Sequence, residues 1–62
     1  MKKDIGNVVT NKENRIRVFW DNETHAVEFK QKLDGPTYSA PYASNENDAK
    51  RNAKEEADNH NL

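Results

Sequence analysis

The chain has 62 residues and no cysteine, 34% of its residues are charged against 32% hydrophobic, and its formal net charge is −1. That length allows one domain with a thin core, and without cysteine no disulfide or thiolate-bound metal can staple it. The balance of charge is neither the basic excess of a typical nucleic-acid binder nor the acidic excess of a DNA mimic, and no apolar run is as long as a signal-peptide core or a membrane helix.

Residues 1–4 read as a polar, frayed end. Ile5-Gly6-Asn7-Val8-Val9-Thr10 predicts a short strand over 5–10, with Gly6 weakening it or marking a bulge, and residues 11–14 read as the turn that follows. Pairing about that turn sets Val9 opposite Ile16 and Ile5 opposite Trp20. The strongest pattern comes next, two alternating runs over 15–20 and 25–31 about a polar turn. A loop of Asn22-Glu23, or one of residues 21–24, gives the same hairpin register, with Trp20 opposite His25, Val18 opposite Val27 and Ile16 opposite Phe29. These six share one face because side chains alternate along a strand, and a one-residue slip would mix the faces. The other face then carries Arg15, Arg17 and Phe19 opposite Lys30, Glu28 and Ala26.

Asp34-Gly35-Pro36 ends this regular region, since Pro36 has no amide donor and Gly35 can take the positive φ of a reversal. Residues 38–43 read as an edge strand with Tyr38, Ala40 and Tyr42 on one side, because Pro41 is tolerated only at a sheet edge. Ser44 or Asn45 can cap a helix over 45–58, with Glu46 and Asp48 near its positive end. Ala49, Ala53 and Ala57 recur every four residues, a narrow stripe that lets the helix approach a sheet whose bulk comes from Val18, Trp20, Val27 and Phe29. His60-Asn61-Leu62 would trail loosely. The predicted whole is an α+β two-layer domain: an antiparallel meander of three to four strands with one C-terminal helix packed on one face.

The chemistry on offer points away from catalysis. His25 reads as a strand-end residue half covering Trp20, and a lone histidine without a second ligand makes a poor metal or catalytic site. No serine or threonine has a base at a recognisable spacing, there is no glycine-rich phosphate loop, and the helix carboxylates read as a solvated face. No enzyme activity, cofactor or metal is expected.

The outer sheet face is the first candidate surface. Arg15, Arg17, Phe19 and Lys30, with Val8 beside Arg17, combine cations with an exposed aromatic, as sheets that bind single-stranded nucleic acid do. The plainer reading is an Arg17–Glu28 cross-strand ion pair beside a solitary exposed phenylalanine. Tyr38 and Tyr42 on the edge strand are the second candidate surface. In layout the chain resembles the DNA-binding arms of phage integrases, without a shared motif. The run Tyr42-Ala43-Ser44-Asn45-Glu46-Asn47-Asp48-Ala49 resembles the strand-to-helix junction of small phage inhibitors of host RNA polymerase. The asparagine- and lysine-rich composition hints at an A·T-rich genome. Together these give the expectation of a small, non-catalytic, cytoplasmic protein of a phage or mobile element that binds and modulates a host protein. A nucleic-acid-binding domain using the outer face and a homodimeric structural protein are the alternatives; no membrane partner is expected.

Overall fold

Alternation in the first half of the chain and four-residue spacing in the last quarter fold into two layers. The computed structural model, which describes residues 1–62, has one four-stranded antiparallel sheet with a helix on a single face. The strands β1 (Lys2–Val9), β2 (Arg15–Asp21), β3 (Val27–Lys30) and β4 (Thr37–Ala40) lie side by side in chain order, and α1 (Glu46–Asn59) follows them. β1 thus takes in Lys2, Lys3 and Asp4, which the sequence reads as a frayed end.

The β2–β3 hairpin keeps the predicted faces but shifts the predicted register by two residues. Trp20 stands opposite Val27, Val18 opposite Phe29, and Phe19 opposite Glu28. The cause lies in the loop. The Asp21 carboxylate accepts hydrogen bonds from the Glu23 and Thr24 amides at 2.8 and 3.1 Å, and His25 adopts a left-handed φ of 65°. Asp21 then exchanges its backbone bonds with Ala26 and His25, its amide reaching the Ala26 carbonyl at 3.0 Å and its carbonyl taking the His25 amide at 2.8 Å. This lengthens the loop at the expense of β3, which starts at Val27 rather than His25. A two-residue shift preserves which side chains face inward.

β1 departs from its predicted pairing through a bulge. Val8 faces Ile16 and Gly6 faces Val18, but Asp4 faces Phe19, so Ile5 is the extra residue between the two registers. Its side chain is buried, whereas Val9 turns to the outer face and is half exposed. Gly6 sits at φ 105°, and a Cβ there would meet only the Lys50 ammonium at 3.9 Å, so the requirement is backbone conformation rather than space.

β4 is shorter than predicted. It stops at Ala40, before the donorless Pro41, and Tyr42 leaves the alternation to stand 72% exposed. Ala43 is buried in its place, held by its amide bond to the His25 carbonyl at 3.0 Å and by the Trp20 indole N–H, which donates to the Ala43 carbonyl at 2.9 Å. Asn52 on α1 donates to the carbonyls of Pro41 and Tyr42, tying this connection to the helix.

The helix forms where the alanine stripe and cap place it, one residue later than predicted at each end. Of the two candidate caps, Asn45 is the one used: its side-chain oxygen accepts from the Asp48 amide at 2.8 Å. Asn45→Ala is expected to remove about 1 kcal/mol of stability, read from the urea midpoint at unchanged m-value, while Ser44→Ala leaves the midpoint in place. Ala49, Ala53 and Ala57 are fully buried against Ile16, Val18, Val27 and Phe29, which are fully buried on the sheet side.

The end of the chain is ordered rather than loose. Asn61 is left-handed at φ 61°, the Leu62 amide donates to the Ala57 carbonyl and the Asn61 amide to the Asp58 carbonyl, which together form a Schellman motif. Leu62 packs on the core, its carbonyl accepts from the buried Thr10 hydroxyl at 2.8 Å, and the His60 ring lies 5.1 Å from that of Tyr38.

Candidate functional site

α1 covers the inner face of the sheet, so the outer face has no element of the chain over it. Strand alternation sends Arg15, Arg17 and Phe19 of β2 and Lys30 of β3 outward together, with Lys30 directly opposite Arg17. All four line one depression of about 210 Å³. Residues 31–33, which leave β3 toward the Gly35 reversal, complete its wall and bring in Lys32 and the 81% exposed Leu33. A second depression of about 300 Å³ lies beside it, and Phe19 and Lys30 belong to both.

The charges on this face are paired differently from the expectation. Arg17 does not pair with Glu28; its guanidinium binds the Asp4 carboxylate at 2.6 Å, and Glu28 is taken by Lys2. The shifted hairpin register puts Glu28 beside Phe19, and the β1 bulge puts Asp4 on the other side of the same ring. Phe19 is consequently half-buried between two ion pairs rather than exposed. Val8 faces inward, and Val9 takes the outer position opposite Arg15. Arg15, Lys30 and Lys32 belong to none of the chain's ion pairs.

The two tyrosines of the predicted edge are placed apart. Tyr38 stacks on Phe29 with ring centres 5.2 Å apart and packs, partly buried, against the core, while Tyr42 projects alone beyond the end of β4. Lys32 and Leu33 are the residues that strand alternation missed. The signal for them is the Lys-x-Lys-Leu run just before the Asp-Gly-Pro reversal, which must leave the sheet on one side or the other.

No family model, curated protein or solved structure matches the chain. No three side chains among its histidines, aspartates and glutamates converge as a metal site would require. His25 stacks on Trp20 at 6.3 Å, and His60 lies 3.7 Å from Glu56, so the two histidines serve separate ends of the molecule. No helix is long and apolar enough to cross a membrane.

Three carboxylates bind more strongly in their ionised form than ordinary aspartates do. The Glu23 and Thr24 amides, and then the Met1 amino group, hold Asp21 down from 3.8 to about 2. Asp4 is lowered first by Arg17 and then by the Gly6 amide, and Asp58 first by the Asn11 amide and then by Lys54. A lowered folded-state value means stability that is complete above the unfolded value and is lost as pH falls through the folded one. The contribution of Asp21 to the urea midpoint should therefore begin to fall as pH nears 3.8 and be lost by about 2. Asp21→Asn, which keeps an acceptor oxygen for the loop amides, should flatten part of that acid decline.

Proposed function

We propose that the chain is a small non-catalytic binding protein that engages another protein through its outer sheet face. The observation that carries this reading is the set of three cations, Arg15, Lys30 and Lys32, left without acidic partners around a depression on the one face the helix does not cover. A structural cation on a one-sided sheet gains from a cross-strand carboxylate, as Lys2 and Arg17 do here; the other three are complementary to charge supplied from outside. The asparagine- and lysine-rich composition further supports an accessory protein of a phage or mobile element that modulates a host protein.

The test is capture from host-cell lysate by the immobilised full chain. A protein retained by the wild type and by Tyr42→Ala, but lost with Arg15→Glu/Lys30→Glu, is the expected outcome. A protein lost with Tyr42→Ala and kept by the double variant moves the interface to the far edge and sinks this reading. Phe19 between the two depressions favours a second reading, single-stranded nucleic acid held by cations and one stacked base. It requires binding to mixed-sequence DNA or RNA that weakens steeply with salt, and no binding at low salt removes it.

A further inference from the structure

We infer that the depression walled by residues 31–33 docks an acidic segment of a partner protein, one in which a carboxylate lies next to an apolar side chain. The inference rests on the outer-face reading above and names the chemistry of the partner. Arg15, Lys30 and Lys32 bring three positive charges to one rim, and the two anions on this face are taken elsewhere, Asp4 by Arg17 at 2.6 Å and Glu28 by Lys2. Lys30 is half-buried through its apolar stem, and its ammonium takes part in none of the chain's ion pairs. A carboxylate arriving here gains charge-assisted hydrogen bonds that no group of the chain supplies.

Apolar surface with no internal use lies on that rim at Leu33 and beside it at Val9. Leu33 is 81% exposed and Val9, opposite Arg15, is 50% exposed. Phe19 adds one half-buried ring to the depression. Cations interleaved with apolar groups match a segment that alternates the opposite charge with apolar side chains. At about 210 Å³ the depression is smaller than the sites that enclose drug-sized molecules, and suits side chains of an extended segment.

A nucleic-acid strand fits less well. Its backbone presents a charge at every nucleotide and calls for a continuous track of cations. The track here is short, because Glu28 and Asp4 stand on either side of Phe19 and would face the phosphates of a strand crossing the sheet.

The experiment is an amide-shift NMR titration of the full chain with three probes: a short glutamate- and leucine-rich peptide, its glutamine counterpart, and oligothymidylate. The acidic peptide should move the amides of Arg15, Lys30, Lys32 and Leu33, and the glutamine peptide should not. Arg15→Glu/Lys32→Glu, both exposed positions, should weaken binding about tenfold or more. Leu33→Ala should weaken it separately without changing charge; a circular dichroism spectrum shows that each variant is folded. Absence of shifts with the acidic peptide, equal binding of the glutamine peptide, or salt-sensitive preference for oligothymidylate overturns the inference. If the acidic peptide fails while Arg15→Glu/Lys30→Glu still abolishes capture of a cellular protein, only the partner chemistry is wrong. If both fail, the outer-face reading falls with it.

Discussion

Phe29→Ala is expected to leave the chain unfolded at 25 °C. Phe29 is the largest side chain that is fully buried, and it lies between Val18 on the neighbouring strand and the stacked ring of Tyr38. Truncating such a residue typically costs about 3–5 kcal/mol, part lost transfer energy and part residual cavity. A domain of this size has a total stability of roughly 3–9 kcal/mol, so the loss is comparable to the whole. With only ten buried apolar residues, there is little else to collapse into the space. Loss of amide dispersion in the NMR spectrum, together with loss of a cooperative thermal transition, is the expected readout. Phe29→Leu should retain a cooperative transition at lower temperature, because most of the volume remains. A Phe29→Ala variant melting near the wild type would show that the two layers are held together elsewhere.

Ala53→Leu is expected to destabilise the fold although it adds apolar surface. Leucine is nearly as good a helix former as alanine, so the change isolates the spacing between helix and sheet. Ala53 is the middle of three fully buried alanines, and the sheet beneath it is already filled by large side chains. Extra methyl and methylene groups in a filled core cost typically about 1–3 kcal/mol. At this size each kcal/mol lowers Tm by roughly 4–8 °C. The same substitution at exposed Glu55 should change stability by less than about 0.5 kcal/mol. Equal Tm values for the two variants would mean that the helix axis is free to lift and that the alanines do not set the layer spacing.

The layered architecture was legible in the chain because both periodicities survive small errors of alignment. Ile16, Val18, Trp20, Val27 and Phe29 face inward whether the hairpin pairs as predicted or two residues further on, so the faces were readable while the register was not. Register depends on Asp21 gathering two loop amides and on His25 turning left-handed, which alternation does not encode. The helix was readable from three alanines and a cap. Its final turn was not, since Asn61 and Leu62 gain their order from Thr10 and the core rather than from local preference.

The outer face divides in the same way. Arg15, Arg17, Phe19 and Lys30 follow from alternation alone, and the structure gathers them around one depression. Their electrostatic state follows from the bulge at Ile5, which delivers Asp4 to Arg17, and from the shifted hairpin, which frees Glu28 for Lys2. Neither event is local, so a cross-strand Arg17–Glu28 pair was the natural but mistaken expectation.

The bond from the Thr10 hydroxyl to the Leu62 carbonyl spans 52 positions, and the one from the Asn11 amide to Asp58 spans 47. Every strand pair, by contrast, joins neighbours in the chain. The entropy of closing the longest loops therefore falls on the helix, and the meander can gather its hydrogen bonds before that cost arises. On loop closure alone the meander is expected to form ahead of helix docking, an order that φ-values higher at Val18 than at Ala53 would bear out. The last residues of the helix region fasten back to the first turn of the sheet, closing the chain into a ring of contacts.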